Sequence, residues 1–155
     1  MGKIKSVKKP GKKWVIVLSI FAVAVIAAAA VFLLADKGKT VEYTVLSEKE
    51  YPQAISGEVI PEYRSLERAL ACKVDDRVYV VVTRGEKPAS GYKVNIERMR
   101  LVAEKEKETL VVYAVFKDPA KNESMSQVLT YPLKVAETKL KTLPDEIELR
   151  VQYEE

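Results

Sequence analysis

The chain offers few side chains that could perform chemistry. It contains no histidine and a single cysteine, Cys72, so the commonest general base and metal ligand is missing and thiolate zinc sites are excluded. A serine nucleophile would need lysine as its base. Serine–lysine pairs such as Ser90 with Lys87 or Lys93 have nothing in their sequence context beyond proximity.

The carboxylates are numerous, but their placement does not suggest catalysis. They lie in predicted turns or alternate with lysine, and the sequence contains neither a calcium-binding loop pattern nor a glycine-rich phosphate loop. We therefore expect no enzymatic activity, no bound metal and no cofactor. Cys72 is expected to be a small buried hydrophobic residue, with an intermolecular bridge or a reactive thiol as the alternatives.

The most distinctive local sequence lies between two predicted strands and reads GEKPASGY over residues 85–92. Gly85 and Gly91 can adopt the positive φ angles that turns require, and Pro88 stiffens the middle. Tyr92 begins the returning strand. Two interpretations stay open: a long hairpin loop with Tyr92 in the core, or a rigid loop presented to a protein partner.

Two ordered motifs resemble a known family. Residues 85–96 read GEKPASGYKVNI and residues 128–135 read VLTYPLKV. They are similar to the G-x-K-P-x-G-G-Y-x-V-x-I hairpin and the later V-x-T-Y-P strand of the C-terminal domain of PrcB, a protease-complex subunit. The resemblance covers residues 77–138. The chain departs from the pattern at Ser90, where the family often has a glycine.

The resemblance implies a non-catalytic extracytoplasmic domain, associated in its namesake with a surface protease complex and its stability. The residues assigned here to partner binding come from the two motifs: Gly85, Lys87, Pro88, Ser90, Gly91, Tyr92, Tyr131 and Pro132. The leading hypothesis is a non-enzymatic, membrane-anchored, protein-binding domain that stabilises or regulates a surface protease complex. The alternative is a peptidase-inhibitor-like domain that presents the 85–92 loop to an extracellular protease.

The N-terminus predicts where this domain lies. Six lysines occupy the first thirteen residues, and the next 22 residues carry no charge. A helix of that length spans about 33 Å, which matches the ~30 Å hydrocarbon core of a bilayer. The lysine excess holds the N-terminus in the cytoplasm. We predict a single-pass cell-membrane protein with a cytoplasmic tail (1–13), a transmembrane signal anchor (14–35), a linker (36–40) and an extracytoplasmic domain (41–155).

A cleaved secretory signal is the alternative to this anchor. The alanines at 28–30 satisfy a signal-peptidase site, but the apolar run continues past them through residues 31–34. Beyond the tail the chain carries 20 basic and 22 acidic side chains. The basic pI of the whole chain therefore comes from the tail, and the rest of the chain is slightly acidic. The expected partners are the lipid bilayer, through 14–35, and an extracytoplasmic protein such as a protease, and not nucleic acid or metal.

The exterior domain is predicted to be mainly β, either a β-sandwich or a curled antiparallel sheet with one short helix. Strands are predicted at 41–46, 77–83, 92–96, 109–116, 126–136 and 147–153, with turns at 75–76 and 104–108. A helix is predicted near 61–71, because Pro61 opens a segment with apolar residues at helical spacing. The polar segment 47–60 has no clear pattern. The strand containing Pro132 should be an edge strand or bulged, because proline lacks a ladder donor.

Overall fold

Residues 38–155 are the part of the chain that the computed structural model describes, and they contain eight strands and one short α-helix. The strands are β1 (Lys39–Thr40), β2 (Tyr43–Val45), β3 (Glu67–Val74), β4 (Arg77–Arg84), β5 (Lys93–Glu104), β6 (Lys107–Lys117), β7 (Leu133–Thr138) and β8 (Glu146–Glu154). Between β2 and β3 lie a 3₁₀ turn (Glu48–Glu50), a π-helical turn (Ile55–Val59) and helix α1 (Ile60–Tyr63). The predicted transmembrane segment, 14–35, lies outside the described residues. Within 38–155 we find no helix of the length and apolarity that crossing a bilayer requires.

The strands form two four-stranded sheets. The first sheet has the order β1-β5-β6-β8 and the second the order β2-β7-β4-β3. Neighbouring strands are antiparallel, except that β8 runs parallel to β6. The mainly β prediction is confirmed, and the two packed sheets correspond to the sandwich alternative rather than to a single curled sheet.

Two hydrophobic clusters explain why β4 is apolar on both faces. Val80 and Val82 point into the main core between the sheets, where they meet buried residues of the first sheet such as Phe116. Val81 points to the opposite face of the second sheet and packs in a cluster with Ile55 of the π-helical turn. Successive side chains of a strand alternate in direction, so β4 is buried from both sides, as its sequence predicted.

The helix predicted near 61–71 is wrong beyond Tyr63. Residues from Glu67 onward form β3, which pairs with β4 over its whole length. Ala69 points into the main core and Leu70 into the cluster around Ile55, which is the alternation of a strand and not of a helix. Helical structure lies upstream instead, within the polar segment 47–60, for which the sequence predicted no element.

The strand predicted at 126–136 begins only at Leu133, directly after Pro132. It lies between β2 and β4, so the expectation of an edge strand is wrong. Because the proline precedes the first ladder residue, the ladder loses no donor. The predicted turns are confirmed: Asp75 and Asp76 both have positive φ angles, of 48° and 61°, and a two-residue turn joins β5 to β6.

Cys72 lies partly buried in β3, packed against the cluster around Ile55. Burial raises the pKa of its thiol. The position agrees with the expected role of a small hydrophobic residue.

Candidate functional site

Residues 85–92 connect the two sheets, and we call them the crossing segment. They follow β4, whose neighbours are β3 and β7 in the second sheet, and precede β5, whose neighbours are β1 and β6 in the first. The prediction of a hairpin loop at this position is therefore wrong. The chain changes sheets here, at one end of the sandwich.

A second segment, 125–132, runs antiparallel to the crossing segment, and we call the two together the loop pair. The Lys87 N–H donates to Thr130 O and the Thr130 N–H donates to Lys87 O, each at 2.9 Å. The Ser90 N–H donates to Ser126 O at 2.9 Å, and the Ser126 N–H donates to Ser90 Oγ at 2.9 Å. Ser90, the departure from the family pattern, thus supplies a hydrogen bond that glycine could not.

Both glycines of the crossing segment have the positive φ angles that its sequence predicted. Gly91 has a φ of 94°, and a Cβ there would lie 2.7 Å from the Cβ of Pro119. Gly85 has a φ of 78°, and a Cβ there would lie 3.2 Å from Ser65 O. A side chain at position 91 would need both a strained backbone and displacement of the proline, so glycine is required at that position.

A buried arginine that the sequence interpretation missed fixes the base of the crossing. Arg84 ends β4 and is only 3% exposed. Its guanidinium donates to Lys117 O at 2.6 Å and to Lys93 O at 3.3 Å, and it forms an ion pair with Asp118. It also lies 5.0 Å from the centre of the Tyr92 ring. Arg84 therefore links the second sheet to the first. The sequence carries little signal for this role, because the arginine at the other end of the same strand, Arg77, is exposed.

The inner side of the loop pair lines a cleft of about 740 Å³. The first residues of β5, the first residues of β7 and the helical segment form its walls, and three of the predicted site residues lie there: Tyr92, Tyr131 and Pro132. The Tyr131 hydroxyl donates to Glu86 Oε2 at 2.8 Å, and this hydrogen bond is the main cause that raises the Tyr131 pKa. The Arg64 guanidinium lies 4.4 Å from the centre of the same ring.

Three apolar side chains on the second segment of the loop pair are exposed. Met125 is 45% exposed, Val128 62% and Leu129 58%. Single exposed apolar residues are ordinary in soluble domains, but these three fall within five residues of one another, on a segment hydrogen-bonded to the crossing segment. The exposed Pro88 lies between the hydrogen-bonded residues of the crossing segment.

The structure thus brings the predicted site residues together but divides them by position. Four of these residues hold the loop pair in shape through their backbone or side chain: Gly85, Lys87, Ser90 and Gly91. Pro88 faces outward, and the remaining three face the cleft. Within residues 38–155, no three cysteine or carboxylate side chains are grouped so that they could hold a metal ion. What the arrangement offers is apolar surface, aromatic rings and backbone hydrogen-bonding groups held in place.

Comparison with known proteins gives one family. Residues 78–139 match the family model described as PrcB C-terminal, which confirms the resemblance expected over 77–138. The match runs from the second residue of β4 to just past the end of β7, so it includes Arg84, the loop pair and two walls of the cleft. No curated protein and no solved structure matches the chain.

Proposed function

We propose, from the PrcB C-terminal family match over residues 78–139, that this chain is a non-enzymatic, membrane-anchored domain that binds an extracytoplasmic protein. Its partner would belong to a surface protease complex, which the domain stabilises or regulates. The membrane location rests on the sequence: the lysine-rich first thirteen residues and the uncharged segment 14–35. The binding role rests on the family and on the loop pair.

The exposed apolar side chains of the loop pair are the observation that carries the proposal. A binding surface gains most when its apolar groups are already held in place, because ordering flexible loops on association opposes binding. Here the backbone hydrogen bonds between Lys87 and Thr130 hold the segment that carries Val128 and Leu129. Burying these side chains against a partner would remove apolar surface from water at little ordering cost.

Anchoring would strengthen such a contact without any new interaction. A partner confined to the same membrane surface meets the loop pair at a high effective concentration, so a weak surface contact is formed for a larger fraction of the time. Lys39 and Thr40, predicted as part of the linker, form β1 instead, so only residues 36–38 separate the predicted membrane segment from the first strand. This short connection favours partners that lie close to the bilayer.

Photo-crosslinking in the native membrane tests this proposal. A photoreactive residue is placed at Val128 of the full chain, with a matched probe at Lys141, which is exposed and lies outside the loop pair. We expect a defined protein adduct, identified by mass spectrometry, from position 128 and not from position 141. Leu129→Ser should reduce that adduct. Recovery of only lipid and copies of the chain itself would contradict the proposal.

A peptidase-inhibitor-like role is the second candidate, because Pro88 is exposed on a crossing segment that is fixed at both ends. The full chain would then inhibit extracellular proteases in a panel, and Pro88→Gly in a folded variant would abolish inhibition. Arg77→Ala, at the other end of β4, serves as the control. Binding of a protease without inhibition would support the scaffold role instead.

A further inference from the structure

The cleft contains a strand edge that no other strand within residues 38–155 covers. β1 pairs with β5 only at Arg100 and Leu101, and one further backbone hydrogen bond reaches Met99 O. Nearer the cleft, the Tyr43 hydroxyl donates to Ile96 O at 3.0 Å. The first four residues of β5 therefore have a neighbouring strand on one side only, which is β6.

The direction of the backbone groups along this edge follows from the pairing on the other side. The Asp118 N–H donates to Glu154 O on β8, so the backbone of the preceding residue, Lys117, faces β5. Its partner Lys93 faces β6 in return. Because facing alternates along a strand, the N–H and C=O of Val94 point away from β6. Val94 lines the cleft, so its backbone donor and acceptor face the cleft.

The opposite wall of the cleft has a similar edge. β2 pairs with β7 as far as Ala136, and the Leu46 N–H then donates to Val135 O at 2.9 Å. By the same alternation, the backbone of Leu133 faces the side that β2 no longer covers. Leu133 also lines the cleft.

We propose that this cleft binds an extended, acidic peptide segment of the partner protein as an added strand on β5, in line with β1. The inference rests on the proposed function, whose partner supplies the segment, and it specifies how that partner is recognised. An added strand would hydrogen-bond to the backbone of Val94, as peptides do when they extend an open sheet edge.

The side chains around the cleft define the chemistry of the segment. Lys93 and Lys134 are the cationic residues in the lining, one on each strand wall, whereas Glu48 is the acidic residue there. Carboxylates on the peptide would complement the lysine pair. Tyr92 and Tyr131 provide rings against which alternating β-branched side chains can pack.

A synthetic peptide tests the mode of binding. The probe is a fluorescently labelled octapeptide of alternating glutamate and valine, titrated into the full chain in detergent micelles and followed by fluorescence anisotropy. We expect saturable binding, with slower hydrogen exchange in the segment containing Val94. The same peptide with lysine in place of glutamate should bind more weakly, because it would face Lys93 and Lys134.

Backbone methylation of the probe separates strand addition from side-chain binding. Alternate residues of an added strand face β5, so N-methylation of one alternate set should weaken binding by about fivefold or more for each hydrogen bond lost. N-methylation of the other set should leave the affinity unchanged. Equal effects from both sets, or no binding of the probe, would overturn the inference.

A matched pair of variants tests the site. Lys93→Glu should weaken binding of the acidic probe and improve binding of its lysine counterpart, whereas Lys141→Glu, an exposed residue outside the cleft, should change neither. If the crosslink from Val128 captures a protein partner but the probe does not bind, strand addition fails and the proposed function stands. If the probe binds but the crosslink yields no partner, the proposed function fails and the peptide-binding cleft stands.

Discussion

The two ends of β4 each carry an arginine, and the two arginines are used in opposite ways. Arg77 at the first residue is exposed and lies 3.1 Å from a Glu137 carboxylate oxygen on β7, a strand of the same sheet. Arg84 at the last residue is buried and bonds to residues that belong to or directly follow strands of the other sheet. One pair lies on the surface of a sheet, whereas the other joins two sheets.

The difference follows from what the chain does at each end. Before Arg77, Asp75 and Asp76 form a two-residue turn with both φ angles positive, which matches the twist of a hairpin. The turn returns to a strand of the same sheet, and the ladder with β3 fixes its geometry. After Arg84 the chain leaves its sheet, so no ladder fixes the crossing segment. Buried polar contacts and a second loop hold it instead, and the candidate binding surfaces lie at this end.

The largest expected effect separates the two arginines. Arg84→Ala removes the charge-assisted hydrogen bonds to two carbonyl oxygens and leaves Asp118 without this ion-pair partner. It should lower the free energy of unfolding by about 2–4 kcal/mol. Arg77→Ala removes an exposed ion pair and should change the free energy of unfolding little, because water and salt screen such pairs. Chemical denaturation of the full chain in detergent, followed by circular dichroism, measures both. Equal losses would show that Arg84 does not hold the crossing.

A second pair of variants compares Gly91 in the crossing segment with a glycine that has room for a side chain. Gly91→Ala places a methyl group 2.7 Å from Pro119 and forces a φ of 94° on alanine, so we expect a loss of about 1–3 kcal/mol. Gly57 lies in the π-helical turn, where an added Cβ would have nothing within 4 Å. Gly57→Ala should be neutral or stabilise by up to about 1 kcal/mol. A similar response from both glycines in the denaturation assay would argue against a tightly fixed crossing.

The contrast also shows what the sequence could predict. The continuous β-branched run of β4 and the acidic turn before it are local patterns, and both predictions were confirmed. The crossing was mistaken for a hairpin because the sheet to which β5 belongs depends on pairing with β6, not on residues 85–92. Arg84 was missed for a related reason: its burial depends on carbonyls at Lys93 and Lys117, which are remote in sequence.

The error at β3 has a different cause. Leu66 and Leu70 are spaced as on a helix, but Ala69 and Leu70 also fit the alternation of a strand buried on both faces. Short apolar segments satisfy both patterns, and pairing with β4 decided the outcome. Three residues that line the cleft, Tyr92, Tyr131 and Pro132, had been assigned to partner binding from the two family motifs. The sequence predicted neither the cleft itself nor its wall from the helical segment.

A smaller effect concerns the contact between the two loops. Thr130 Oγ1 donates to Ala89 O at 2.7 Å, and Thr130→Val removes this hydrogen bond at nearly constant volume. We expect a loss of about 1 kcal/mol and faster hydrogen exchange in the segment 87–90. Thr44→Val, on the exposed side of β2, is the matched control and should change neither. Unchanged exchange in 87–90 would mean that the side chain does not restrain the loop pair.

The smallest effect is a dependence on pH at the crossing end. The Tyr131 pKa is raised, chiefly because its hydroxyl donates to Glu86, and further because of burial and the Glu86 charge, while Arg64 opposes the shift. A raised folded-state pKa means that the stabilisation is complete below the unfolded value of about 10 and is lost as the pH rises through the folded-state value.

The stability difference between the native chain and Tyr131→Phe should therefore shrink as the pH rises above about 10. Denaturation midpoints of the two proteins, compared across this range, measure that change. Other tyrosines with raised pKa values, such as Tyr43 and Tyr51, affect both proteins alike, so the comparison isolates Tyr131. A Tyr131→Phe difference that stayed constant would show that the Glu86 contact does not stabilise the crossing end.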